Sequence, residues 1–109
     1  MIQPKQIIIF EPEYQCWPLW LYDWDSTFID NEIPADLQSN EELMEALTSV
    51  QQQFDALYTN APRTFPYVGF KDKESKERFI RDSWRAYELL CNAGREKYRI
   101  RYAIDYEGL

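Results

Sequence analysis

Bulky apolar and polar residues alternate almost perfectly over residues 98–106, and this two-residue period constrains the fold more than any other feature of the chain. Successive side chains of a β-strand point to opposite faces of a sheet. The residues that should face a core are Tyr98, Ile100, Tyr102, Ile104 and Tyr106. The polar residues between them, which should face water or an acidic part of the chain, are Arg99, Arg101 and Asp105. The C-terminal segment therefore predicts a half-buried strand.

Two more strands are predicted near the N-terminus. Residues 7–10 form a β-branched and aromatic run that is long enough for a buried strand and too short for a helix. Residues 17–25 carry aromatic side chains at both odd and even positions, which suits a strand covered on both faces. The two strands could pair antiparallel. Residues 26–38 predict a loop with a short turn at residues 34–37.

Residues 40–58 predict a first amphipathic helix. Ser39 and Glu42 have the spacing of a capping box, in which the hydroxyl accepts from a free backbone N–H and the carboxylate reaches back to the cap. The apolar residues that recur at helical spacing, and should form one buried stripe, are Leu43, Leu47, Val50, Phe54 and Leu57.

A second helix should begin after Asp72, which caps it, and end at Gly94. The residues expected on its buried face are Ile80, Trp84, Tyr87 and Cys91, flanked by Phe79, Ser83 and Leu90. Residues 59–70 lie between the helices and predict a connection. The apolar residues there, which could form a short strand or fill part of the core, are Phe65, Tyr67, Val68 and Phe70.

These segments together predict an α+β fold with the order β-β-α-α-β. Two amphipathic helices should pack on a small, mostly antiparallel sheet. The chain has 109 residues and no internal repeat or flexible linker, so residues 1–109 should form one domain. No apolar run is long enough to span a membrane, and the start lacks the features of a signal peptide, so we expect a cytoplasmic protein.

The composition excludes much enzyme chemistry. The chain has no histidine, which removes the usual general base near neutral pH and most zinc and haem sites. Its two cysteines are far apart in sequence, and three glycines are too few for most phosphate-binding loops. The carboxylates at Asp23, Asp25 and Asp30 lack the glycine of a calcium loop. We therefore expect no metal, no cofactor and no catalysis.

Charge is strongly segregated along the chain. Residues 6–62 contain eleven acidic residues and no lysine or arginine, whereas residues 63–109 contain eleven basic and eight acidic residues. Such asymmetry speeds association with a basic partner and disfavours nucleic acid or an anionic membrane at the acidic face. The natural partner of this acidic half is a basic protein.

Aromatic residues are interleaved with these acids, as at binding hot spots for basic partners. Trp24 is the clearest case, because it lies between two aspartates where the second predicted strand should end. The residues expected to contact a partner are Tyr22, Asp23, Trp24, Asp25, Asp30, Glu32 and Asp36, followed by Glu41 and Glu45 on the first helix.

Part of the N-terminal half resembles a known group of proteins. The matching stretches are Glu13-Tyr14-x-Cys16-x-Pro18-Leu19-Trp20, Asp30-Asn31, Pro34-x-x-Leu37 and Ser39-x-Glu41-Glu42-Leu43. They resemble small, acidic bacterial immunity proteins of polymorphic and contact-dependent growth inhibition toxin systems. The resemblance implies a cytoplasmic, non-enzymatic antidote that binds and blocks a cognate toxin domain, often a nuclease.

Three functional hypotheses follow. The first is an inhibitor whose acidic, aromatic half covers a basic toxin domain that cleaves nucleic acid. The second is a DNA mimic that occupies the cleft of a host nucleic-acid-binding protein, which requires acids at phosphate spacing over an extended surface. The third is a carboxylate-dependent enzyme or small-ligand binder, which requires a deep pocket with a perturbed acid.

Overall fold

The computed structural model describes residues 5–58, 69–104 and 106. In chain order, the elements are β1 (Gln6–Phe10), β2 (Leu19–Tyr22), β3 (Phe28–Asp30), α1 (Ala35–Gln38), α2 (Glu41–Asp55), α3 (Lys73–Gly94) and β4 (Tyr98–Tyr102). The strands form one sheet in the order β3-β2-β1-β4. β1 pairs antiparallel with β2, β2 pairs antiparallel with β3, and β4 pairs parallel with β1. The predicted α+β class with a mostly antiparallel sheet is confirmed.

The element order differs from the prediction at residues 26–38. This segment contains β3 and the four-residue helix α1, where a loop with a short turn was expected. The loop prediction was wrong for β3 because its three residues are too few to produce a recognisable alternation. The first two predicted strands do pair antiparallel, although β2 is shorter than residues 17–25.

One face of the sheet, the inner face, packs against the helices. Ile8 and Phe10 lie opposite Leu21 and Leu19 on β2, and directly opposite residues of paired strands project to the same side. Ile8, Phe10 and Leu19 belong to the main core. The helical residues of this core are Leu37, Leu43, Leu47, Val50, Phe54, Phe79, Ala86 and Leu90. All five residues of the predicted stripe on the first helix are buried.

The cap of α2 is one residue later than predicted. The Asn40 side chain, and not that of Ser39, accepts the N–H of Leu43 at 3.1 Å. Asparagine is an equally good N-cap, so the Ser39 and Glu42 spacing was a coincidental capping box. The predicted cap of α3 is confirmed, since the Asp72 carboxylate accepts the N–H of Ser75 at 2.7 Å.

The buried face of α3 is rotated from the predicted one. Its buried residues are Phe79, Ser83, Ala86, Leu90 and Gly94. Three of these are small and allow close packing, so the bulky residues lie at the margin of the contact. Trp84 is 46% exposed and stacks on Tyr102 with ring centroids 4.3 Å apart. The helix ends at Gly94 as predicted.

The inward and outward facing of β4 is as predicted, although the strand ends at Tyr102 and does not continue to residue 106. Tyr98, Ile100 and Tyr102 pack against the core, whereas Arg99 and Arg101 are exposed. The residues whose predicted placement lies outside the described part of the chain are Phe65, Tyr67, Val68 and Asp105.

Candidate functional site

A tight hairpin turn joins β2 to β3. The N–H of Asp23 donates to the carbonyl of Thr27 at 2.8 Å, and the N–H of Ser26 donates back to the carbonyl of Asp23 at 2.9 Å. Ser26 has a φ of 71°, in the left-handed region. This pattern is a three-residue hairpin loop that ends in a left-handed residue. Trp24 therefore occupies the outermost part of a defined turn.

Each aspartate of this region accepts a local backbone N–H. The distances are 2.9 Å from Trp24 N to Asp23 Oδ1, 3.1 Å from Thr27 N to Asp25 Oδ1, and 2.8 Å from Asn31 N to Asp30 Oδ1. Hydrogen bonds from the Thr27 hydroxyl and then from its N–H lower the pKa of Asp25. These bonds order the turn while Asp25 and Asp30 stay exposed to solvent.

Apolar side chains beside these acids are unusually exposed. Trp24 is 60% exposed, Phe28 52% and Ile29 44%. Asp30 pairs with Leu21 and Phe28 with Tyr22, so Ile29 is the extra residue of a β-bulge. The Phe28 ring lies 5.6 Å from the Tyr22 ring, centroid to centroid. Exposed apolar clusters of this kind are typical of interaction surfaces, so this cluster is the candidate site.

We call this region the hairpin surface. Its residues are Tyr22, Asp23, Trp24, Asp25, Phe28, Ile29 and Asp30. Asp30 lies opposite the inner-face residue Leu21, so its side chain projects from the inner side of the edge strand β3, whereas Tyr22 and Phe28 project from the other side. The sequence identified five of them as candidate partner contacts but missed Phe28 and Ile29, which fell in a predicted loop. The available signal was the Asp-Ser-Thr segment between two apolar stretches, which is typical of a hairpin turn.

The other candidate residues lie elsewhere. Glu32 is exposed just after β3, and Glu41 and Glu45 are exposed on α2. Asp36 on α1 has partners within the chain: it accepts the Tyr98 hydroxyl at 2.9 Å and lies 3.5 Å from Lys97 Nζ. Burial, and then the Asp36 contact, raise the pKa of Tyr98 to about 12. The structure thus gives Asp36 a role in holding α1 against β4.

Glu45 borders a polar groove between α2 and α3. The groove has a volume of about 240 Å³, and its lining includes Glu42, Asp82 and Arg85. Glu42 is paired with Arg85 at 3.1 Å. Among the described residues, no group of three or more histidine, cysteine or carboxylate side chains is arranged to hold a metal ion. No helix in the described part of the chain is long and apolar enough to cross a membrane.

The residues of the resemblance have structural roles. Pro18 and Leu19 are buried, and the indole N–H of Trp20 donates to the carbonyl of Glu11 at 2.8 Å. The Asn31 amide donates to the carbonyls of Trp17 and Leu19, both at 2.8 Å. These contacts fix the start of β2 and the exit from β3, and so they position the hairpin surface.

Comparison with known protein families identifies the chain's relatives. A model of the Serratia CdiI immunity protein-like family matches residues 6–105. The chain belongs to this family. The resemblance found in the N-terminal half is confirmed, and the CdiI-like match extends it through β4. A search of curated proteins found no match.

Membership defines the general activity of this CdiI-like protein. It is an immunity protein of contact-dependent growth inhibition, a class that neutralises a cognate toxin. Immunity proteins of this family are generally not enzymes, and the family implies a cognate toxin as the binding partner. The hairpin surface is well suited to such binding because it combines ordered carboxylates with exposed aromatic and aliphatic groups.

Proposed function

We propose that this CdiI-like protein neutralises a basic, nucleic-acid-cleaving toxin domain by placing its hairpin surface against that domain. The observation that carries the proposal is Trp24, which is 60% exposed at an ordered turn between two aspartates. A fixed aromatic side chain ringed by acids is the typical composition of a hot spot for a basic partner.

The charge of the hairpin surface supports a nuclease as the partner. A nuclease needs a basic surface to hold the phosphate backbone of its substrate. Carboxylates on the hairpin surface would compete for that surface and exclude nucleic acid. Association would take place in the cytoplasm, with residues 1–109 acting as one domain and without catalysis.

A DNA mimic is less well supported. Such a protein needs an extended row of free acids. Within the described residues, Asp36 pairs with Lys97 and Glu42 with Arg85, while Asp55 accepts hydrogen bonds from Gln15 and Gln51. These internal contacts interrupt the row, which favours recognition through one patch.

The test begins with the toxin domain itself. Tagged immunity protein is used to capture its partner from the lysate of its native host, with low-salt and then high-salt washes. The domain identified by mass spectrometry is then produced in recombinant form. We refer to it below as the captured domain.

Affinity for the captured domain is measured by calorimetry with the triple variant Asp23→Asn, Asp25→Asn, Asp30→Asn. Asparagine keeps the side-chain oxygen that accepts each local N–H, so the variant removes charge while preserving the turn. We expect the affinity to fall by at least about 100-fold, because even one close interfacial charge pair contributes about 1.5–7 kcal/mol.

The matched control is Glu74→Gln, Glu88→Gln, Glu96→Gln, which removes three exposed acids from α3 and the turn that follows it. This control should bind almost normally. Equal affinity of the wild type and the aspartate variant would refute the proposal, as would an equal loss in both triple variants.

A further inference from the structure

The face of the sheet that points away from the helices, which we call the outer face, carries opposite charges at its two edges. Strand register assigns its residues, because directly opposite residues project to one side. Ile7 lies opposite Tyr22 and Arg99, and Ile9 lies opposite Trp20 and Arg101. On β3, Phe28 lies opposite Tyr22 of β2. The outer face therefore consists of Ile9, Trp20, Tyr22, Phe28, Arg99 and Arg101 around Ile7, whose side chain is itself buried.

Its aromatic end is continuous with the hairpin surface. The Phe28 ring contacts the rings of both Trp20 and Tyr22, with centroid distances of 6.2 Å to Trp20 and 5.6 Å to Tyr22. The acids of the turn, Asp23 and Asp25, directly follow Tyr22. This end of the face thus combines aromatic and negatively charged groups.

The opposite edge, β4, is positively charged. Arg99 and Arg101 are exposed there, two residues apart on the same side of the strand. Neither forms an ion pair or side-chain hydrogen bond with any residue of the described chain. Other bases do have acidic partners, for example Arg85 with Glu42 and Arg78 with Asp82. As far as the described residues go, both guanidinium groups are therefore available to an external anion.

The two ends are close enough for one partner to cover both. Adjacent strands lie about 4.8 Å apart, so β3 and β4 are separated by roughly 14 Å across the sheet. A standard interface buries about 800 Å² on each side, a patch roughly 30 Å across. A partner docked on the hairpin surface would therefore reach β4.

We propose that the toxin domain docks across the whole outer face and presents a carboxylate group to Arg99 and Arg101. The inference rests on the proposed function and adds a second, oppositely charged contact to it. Arginine is suited to this contact because its planar guanidinium can hold a carboxylate through two parallel hydrogen bonds. The toxin surface is accordingly basic over the hairpin and acidic over β4.

The test compares Arg99→Gln, Arg101→Gln with the wild type in binding the captured domain. If only net charge mattered, removing two positive charges would tighten binding to a basic partner. The specific contact predicts the opposite result, a loss of about tenfold or more. The two effects differ in sign, so the measurement separates them.

The matched control is Arg78→Gln, Arg81→Gln, two exposed bases on α3 that lie near Asp82. It has the same change in net charge and should bind as tightly as the wild type or slightly more tightly. Thermal unfolding of each variant verifies the fold, and the single variants Arg99→Gln and Arg101→Gln should each give a smaller loss in the same direction.

The outcomes separate this inference from the function on which it rests. If Arg99→Gln, Arg101→Gln binds at least as tightly as the wild type while the aspartate variant loses affinity, the arginine contact is refuted and the hairpin contact stands. If neither variant loses affinity, both proposals are refuted. A loss in the arginine control equal to that in the β4 variant also refutes the specific contact.

Discussion

At the scale of single residues, the proposed binding depends most on Trp24. Exposed large aromatics are costly to keep in water, and at interfaces a few such residues contribute most of the binding energy. Trp24 projects from a turn whose backbone is held by hydrogen bonds on both sides. Little conformational entropy is then lost when a partner covers it.

We predict that Trp24→Ala weakens binding of the captured domain by about 30-fold or more, the usual effect of truncating a hot-spot residue. The free energy of unfolding of the Trp24→Ala variant should differ from that of the wild type by no more than about 0.5 kcal/mol, because the Trp24 side chain is mostly exposed. Calorimetry gives the affinity, and urea denaturation gives the stability.

Trp84→Ala is the control, because Trp84 is also exposed but stacks on Tyr102 beside α3. This variant should lose stability through the lost stacking and retain its affinity. Normal binding by Trp24→Ala, or a loss confined to Trp84→Ala, would contradict the assignment of the hot spot.

The sequence was informative for residues whose role is local. Trp24 between two aspartates and the cap at Asp72 are both visible in a short window; the structure confirms the Asp72 cap and shows that Trp24 is exposed. Asp36 is different, because its partners Lys97 and Tyr98 are about sixty residues away. A long-range pairing of this kind leaves no local pattern.

At the scale of elements, the position of α1 depends on a contact with β4. Four residues are too few for an independently stable helix, so tertiary contacts must hold α1 in place. Leu37 is buried in the core, and Asp36 accepts the Tyr98 hydroxyl. This link lies between the hairpin and α2 in the chain, and it restrains the segment that leaves β3.

The same contact predicts a pH dependence of stability. The pKa of Tyr98 is about 12 in the folded chain, above the ordinary value near 10. Folding therefore favours the protonated Tyr98 hydroxyl. The contribution of this hydroxyl to the free energy of unfolding is fully present below pH 10 and is lost as the pH rises through 12.

We predict that Tyr98→Phe lowers the free energy of unfolding by about 1 kcal/mol at pH 8, the usual net contribution of such a hydrogen bond. The difference between wild type and variant should shrink between pH 10 and 12. Urea denaturation over this range measures it. A difference that stays constant with pH would show that the hydroxyl contact does not contribute in the way proposed.

Elements in which a side-chain pattern repeats over many residues were predictable from the sequence, and short elements were not. The stripe of α2 and the alternation of β4 each extend over enough residues to define a period. β3 has three residues, one of them in a bulge, and so carries no period at all. The face of α3 was misassigned because it packs against both α2 and β4, and small residues occupy the centre of that contact.

At the scale of the whole molecule, the separation of charge along the chain becomes a separation across the sheet. The acidic segment supplies β1, β2 and β3, and the basic segment supplies β4. Sequence alone indicated an acidic half and a basic partner. The parallel pairing of β4 with β1, which places two arginines on the same face as the aromatic residues, depends on the fold.

Amide hydrogen exchange of the immunity protein, measured alone and in complex with the captured domain, tests most directly whether the hairpin surface binds the toxin. If it does, complex formation slows exchange at residues 22–30, where the hairpin surface is covered, and leaves exchange in α3 unchanged. Slower exchange confined to α2 and α3, with the hairpin unaffected, would contradict binding through this surface.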